Sequence, residues 1–257
     1  MTSGTPSPKP SLRVERGLQR AGHRLIAGMD EVGRGALAGP VSVGVVVIDE
    51  VCRSAPVGVK DSKLLSPQVR ERLVPRIQAW ATASAVGHAS PAEIDRYGIM
   101  VALRFAGMRA LTALSSRCVI PDLILLDGNY DWLTDPRRVG LLGLVEEDHD
   151  WSASPKSLVK PTSPTLCPPV RTMVKADMFC SSVAAASVLA KVERDAMMVA
   201  LAATVPGYAW ELNKGYSAPE HCAALESSGP SVHHRRSWRL PGVNRVAQAD
   251  RPSMTAP

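Results

Sequence analysis

Adjacent acids, Asp30 and Glu31, close an apolar run and directly precede a glycine-rich stretch that begins Gly33-Arg34-Gly35 and ends at Pro40. Two further acids sit in comparable places: Asp127 lies between Leu125-Leu126 and Gly128, and Asp177 stands at the head of a long alanine-rich segment. Charges at the ends of buried elements are costly unless something binds them. An all-oxygen, acid-rich set suits a hard cation such as Mg2+ or Mn2+ and does not suit zinc. Each acid alone has a plainer reading: Asp30 and Glu31 as solvated strand-end charges, Asp127 as a turn residue, Asp177 as a helix cap. In a regular strand Asp30 and Glu31 point to opposite faces, so both reach one site only if the chain bends, which glycines at 33 and 35 allow. Gly33-x-Gly35-x-x-Ala38 also matches a relaxed dinucleotide-binding pattern, with Asp49-Glu50 where a ribose-binding acid would stand. That pattern must open a helix, and Pro40 and the next apolar run leave no room for one.

The elements that must position these acids are legible in the surrounding periodicity. Residues 24–29 and 41–48 are short apolar runs rich in β-branched residues and read as two antiparallel strands joined by a turn. Ser66-Pro67 starts a helix through Val69, Leu73 and Ile77, and Pro91 starts one whose apolar positions continue past Met100 to Leu114. Residues 121–126 read as a buried strand, and a long helix begins near Asp177 and stops at Pro206-Gly207. Strands alternating with helices predict an α/β fold, a mixed sheet flanked by helices with a helical C-terminal part, over residues 21–242. Residues 129–170 break the pattern with six of the chain's 21 prolines, six acids and four bases, and read as an inserted surface loop. Residues 1–20 and 243–257 read as loose tails.

Composition narrows the classes. Over 257 residues, 45% hydrophobic and 21% charged content excludes a wholly disordered chain and a collagen-like fibre. Aromatics at 4% leave a core of Val, Leu, Ile and Ala, which favours close helix-on-sheet packing. Five cysteines without a C-x-x-C pair argue against a disulfide framework or a thiolate zinc site. The net charge of +6 suits a polyanionic partner, and the acid-rich insert leaves the rest of the chain more basic than the whole. With neither a signal-like segment nor a membrane-length apolar run, a cytoplasmic protein without membrane contact is expected, and the chain is read as a monomer.

Five ordered segments carry a resemblance: AGMDEVGRGALAGPV, VKDSKLLS, LLDG, VKADMFCSSVAAASVLAKVERD and NKGYSAPEHCAALESSGPSVHHRRSW, spanning residues 27–238. In them the chain resembles ribonuclease HII, the type 2 ribonuclease H family. The resemblance implies an RNase H-like mixed sheet with a helical C-terminal extension, and an endonuclease acting on RNA–DNA hybrids and on single ribonucleotides embedded in duplex DNA. It makes Asp30, Glu31, Asp127 and Asp177 the catalytic acids that bind a divalent metal, Mn2+ or Mg2+. It puts the Gly33-Arg34-Gly35 backbone on the ribonucleotide, Tyr216 against the neighbouring sugar and Lys63 beside a phosphate. Without it, Tyr216 reads as a half-buried surface aromatic and Lys63 as a solvated cation. The cluster from His233 to Arg239 reads either as a face for the nucleic-acid backbone or as a charged solvated turn. The family often has a second lysine where this chain has Leu64. A non-catalytic hybrid-binding protein is the competing reading, disfavoured by the presence of all four acids.

Overall fold

The computed structural model describes residues 9–135 and 167–243. Strands β1 (Ile26–Val32), β2 (Val41–Ile48), β3 (Ala83–Ala89), β4 (Leu123–Asp127) and β5 (Val170–Met173) form a single sheet in the order β3-β2-β1-β4-β5. β1 pairs antiparallel with β2, with Met29 opposite Val45, and parallel with β4, with Met29 opposite Leu126. β2 pairs antiparallel with β3, and β4 parallel with β5. This is the mixed sheet, antiparallel at its start, that the periodicity predicts.

Every residue of β2, VSVGVVVI, is buried, because helices cover both faces of the sheet. Alternate residues therefore divide between two cores: Ala27, Met29, Val43 and Val45 join α4 (Ile99–Ser115) on one side, while Ile26, Val46, Ile48 and Leu125 join α6 (Ser181–Thr204) on the other. α6 comes very close to β1. A Cβ at Gly28 would lie 2.4 Å from the Ser182 carbonyl carbon, so only glycine fits there. α2 (Pro67–Trp80) packs beside α6. A third, smaller core joins α7 (Trp210–Asn213) and α8 (Pro219–Ser228) to Leu37, Ala38 and Met198, so the helical C-terminal part braces the glycine-rich loop after β1.

The boundaries differ from expectation in five places. The helix expected from Pro91 to Leu114 is two, α3 (Pro91–Tyr97) and α4, broken at Gly98 with φ 79°. The helix expected from Asp177 is also two, α5 (Ala176–Phe179) and α6, separated by Cys180 in an extended conformation. β3, ASAVGHA, carries too little β-branched character to be read alone, and its pairing with β2 makes it a strand. Part of the expected amino-terminal tail is α1 (Arg13–Arg20). Buried Glu15 on α1 accepts from the Ser182 amide and hydroxyl, each at 2.9 Å, and Ser11 exchanges backbone bonds with Phe179 and Ser181. The expected insert begins in the core: Trp132 and Leu133 are 2% and 1% exposed and pack against Gly107. The remaining expectations for 1–8, 136–166 and 244–257 lie outside the described residues. Among the described residues, no helix is long and apolar enough to cross a membrane.

Candidate active site

β1 and β4 run parallel and side by side, so their carboxyl ends deliver Asp30 and Asp127 to neighbouring positions. Both point toward α6, because each continues the alternation of residues facing it: Gly28 leads to Asp30, and Leu125 to Asp127. Asp30 is 4% exposed. Its carboxylate takes a hydrogen bond from Ser187 on α6, and Oδ1 also accepts the Glu31 amide at 2.8 Å. Burial pushes its pKa well above the usual carboxylate range, and the charges of Glu31 and Asp127 push it further against Ser187 and Lys63.

Glu31 lies on the opposite pleat, as a regular strand requires, and the chain turns only at Gly33, where φ is 82°. The bend allowed by the glycines therefore comes after both acids, at Gly33, and not at Gly35. Burial raises the Glu31 pKa against the opposing pull of Arg34 Nη1 at 3.3 Å, and the nearby charge of Asp127 adds a smaller push upward. Asp127 Oδ1 accepts the Ala176 amide at 2.6 Å, which ties the start of α5 to the end of β4. That latch sets Asp177, 5% exposed, beside the other acids. Lys175 reverses the chain just before it in the left-handed conformation, φ 59°. Burial, then Asp127 and Asp61, raise the Asp177 pKa to about 6.

Lys63 sits in a short 3-10 turn, Ser62–Leu64, whose start is capped by Asp61. Ser62 Oγ bonds Ser187 Oγ at 2.8 Å, so one hydroxyl relay, Ser62 to Ser187 to Asp30, docks the lysine turn onto the acids. Burial works against the Lys63 charge, but Asp30, Asp61, Asp177 and Asp127 outweigh it and raise its pKa. Lys63 and Arg34 are fewer than the carboxylates around them, which leaves a net negative, partly desolvated site.

These four acids are electrostatic neighbours, and among the described residues no three His, Cys, Asp or Glu side chains stand in closed metal-ligating geometry. The donor chemistry nevertheless fits a hard divalent cation: the set is all carboxylate oxygen, and cationic charge would offset both the burial and the added repulsion that raise the Asp30 and Asp177 pKa values.

Gly33, Arg34 and Gly35 form the rim beside the acids. A Cβ at Gly33 would fall 2.0 Å from Arg194 Nε, so that position admits only glycine, whereas one at Gly35 would meet nothing within 4 Å. The Gly33 amide donates to the Tyr216 hydroxyl at 3.2 Å, bringing that ring onto the rim, with Lys191 and Arg194 cations 5.6 and 5.4 Å from its centroid.

Several supporting residues went unread in the sequence. Ser62 and Ser187 form the relay, and Arg194 and Arg235 are fully buried beneath the glycine-rich loop, Arg194 donating to the Pro40 carbonyl and Arg235 to that of Gly33. Arg194 did leave a trace, since it continues the buried stripe of Ser187 and Ala190 on α6 at helical spacing. The cluster from His233 to Arg239 is split. His234 and Arg235 are buried, and Arg236 and Arg239 are exposed, so it is neither a uniform nucleic-acid face nor a solvated turn. His221 Nε2 and His234 Nε2 are 3.0 Å apart, with Trp210 Nε1 donating to His221 at 3.1 Å and the Ser231 amide to His234 at 2.9 Å.

Residues 27–240 match the family model described as Ribonuclease HII. A Ribonuclease HII of Streptomyces coelicolor is 43% identical over 91% of this chain and 85% of that relative. One from Nitrosococcus oceani is 44% identical over 83% of this chain and 88% of that relative. Among solved structures, the ribonuclease H2 of Pyrococcus horikoshii matches with a TM-score of 0.58 and 29% identity, over 84% of this chain and 94% of the other.

Proposed function

Because the chain belongs to the ribonuclease HII family and is an RNase H endonuclease acting on RNA in RNA–DNA hybrids, we propose that it also cuts 5′ of single ribonucleotides embedded in duplex DNA, using a divalent cation. The cut leaves 3′-hydroxyl and 5′-phosphate ends and so begins the removal of ribonucleotides from DNA. Asp30, Glu31, Asp127 and Asp177 hold the cation, Mn2+ or Mg2+. When bound, it neutralises charge on the crowded phosphate and acidifies the attacking water. Water oxygen bonds to phosphorus as the bond to the 3′ oxygen breaks, and that oxygen takes up a proton. Lys63 adds fixed positive charge beside the phosphate. Gly33, Arg34 and Gly35 let the ribose approach the backbone closely enough for its 2′-hydroxyl, the group that distinguishes RNA from DNA, to be sensed. Tyr216, held on the same rim, supports the neighbouring sugar.

The observation that carries this reading is the Asp30 carboxyl, buried among like charges with Ser187 and Lys63 opposing them. Incubating a duplex that contains one ribonucleotide with Mg2+ or Mn2+ should nick it 5′ of that residue, and removing the metal should stop the reaction. Binding without nicking in both metals would support the non-catalytic hybrid-binding reading instead.

A further inference from the structure

We propose that Arg235 is a positioning residue for ribonucleotide recognition: from beneath the rim, its guanidinium turns the Gly33 and Arg34 carbonyls inward and thereby turns the Arg34 and Gly35 amides outward, toward the ribonucleotide. The inference rests on the reading above that residues 33–35 meet the substrate.

Arg235 is completely buried. Nη2 donates to the Gly33 carbonyl at 2.6 Å and Nη1 to the Arg34 carbonyl at 2.8 Å. The same fork reaches the Gly39 carbonyl at 3.2 and 3.3 Å and that of Pro40 at 3.3 Å. Its own backbone amide is tied to the Leu37 carbonyl at 2.9 Å, and its guanidinium lies 4.8 Å from the centre of the Trp238 ring. The fork is therefore fixed independently of the substrate.

In a planar trans peptide the carbonyl and the following N–H point in opposite directions. Capturing two successive carbonyls on one side sets two successive amides on the other. Gly33 donates to Tyr216 and Ala36 to the Gly33 carbonyl, but among the described residues the Arg34 and Gly35 amides donate to no protein group. Arg34 and Gly35 are both exposed, and the space beside Gly35 is open. Adjacent outward N–H groups make a small concave donor pair suited to an oxygen of the ribonucleotide.

Arg194 supplies an internal comparison. It is equally buried and lies under the same loop, but its guanidinium holds the carbonyls of Pro40 at 2.8 Å, Lys214 at 3.0 Å and Ala38 at 3.2 Å, and neither of the two that orient the outward amides. Lysine keeps the charge at either position but loses the planar fork.

On a duplex with one ribonucleotide, R235K should lose about tenfold or more in kcat/KM beyond the loss in R194K, measured at a temperature where both are folded. Equal losses that follow thermal stability would overturn the inference. Should R235K fail to fold, hydrogen exchange on the wild-type chain in EDTA decides. The Arg34 and Gly35 amides should slow on binding the single-ribonucleotide duplex and not on binding an all-DNA duplex of the same sequence, and identical exchange in both complexes overturns the inference. Failure of the wild-type enzyme to nick with Mg2+ or Mn2+ would instead sink the functional reading beneath it.

Discussion

Two regions of the molecule bury ionisable groups, and they do so on opposite terms. At the end of β1 and the start of α5, Asp30 and Asp177 are pushed toward their neutral forms by burial and by neighbouring carboxylates, and the protein supplies too few cations to settle them. Beneath the glycine-rich rim, Arg194, Arg235, His221 and His234 are just as deep, yet their donors are met by carbonyls, ring nitrogens or aromatic faces. The contrast separates a place built to receive charge from a scaffold whose buried polar groups already have their partners.

The contrast is broken most forcefully by Asp30→Asn. Cleavage should fall by roughly 10²-fold or more, as expected when a charge-stabilising group is lost, while thermal stability in metal-free buffer should not fall. A less stable variant would mean that Asp30 is scaffold. The converse change, His221→Leu, leaves the Trp210 indole, the His234 ring and the Tyr216 carbonyl without their partner. Denaturant unfolding should show a loss of about 2–4 kcal/mol, typical of stranding several buried polar groups, with cleavage by the folded fraction changed only a few-fold.

Acid titration sets the two regions against each other. Burial, together with the charge of His221, lowers the His234 pKa to about 4 from an ordinary value of 6.5. The unfolded chain thus binds the proton first, and this group costs stability as pH falls from about 6.5 to about 4. Asp177, raised from 3.8 to about 6, does the reverse, since the folded chain binds the proton first and stability rises as pH falls through that window. Asp177→Asn in metal-free buffer should therefore lose stability more steeply than wild type between pH 6 and pH 4. Parallel curves would show that the acids are not coupled as described. The smallest effect belongs to neither region. Ser90 and Glu93 form a reciprocal capping box on α3, and Ser90→Ala should cost about 1 kcal/mol without altering cleavage.

Much of the active end was readable because acids at the termini of apolar runs stand out locally. The strands carrying Asp30 and Asp127 announce themselves through β-branched residues, and the alanine-rich stretch after Asp177 has an evident helical period. The scaffold was harder to read because its partners are remote in sequence. Nothing near Arg235 indicates that it will meet Gly33, and Ser187 acquires meaning only when Ser62 arrives opposite it. Trp132 and Leu133 were absorbed into a polar, proline-rich segment, although their bulk was the signal that the chain returns to the core there. α1 was hidden among arginines, and the partner that the Glu15 carboxylate meets, Ser182 at the start of α6, lies far along the chain.

The bond from the Ala176 amide to Asp127 joins the two ends of the long excursion after β4 at its root. With β4 and β5 already paired in parallel, the chain leaves and re-enters through a closed neck. The distance between the carboxylate that closes β4 and the acid that follows Ala176 is therefore held by two paired strands and one short bond, although the bonded residues lie 49 apart in the chain.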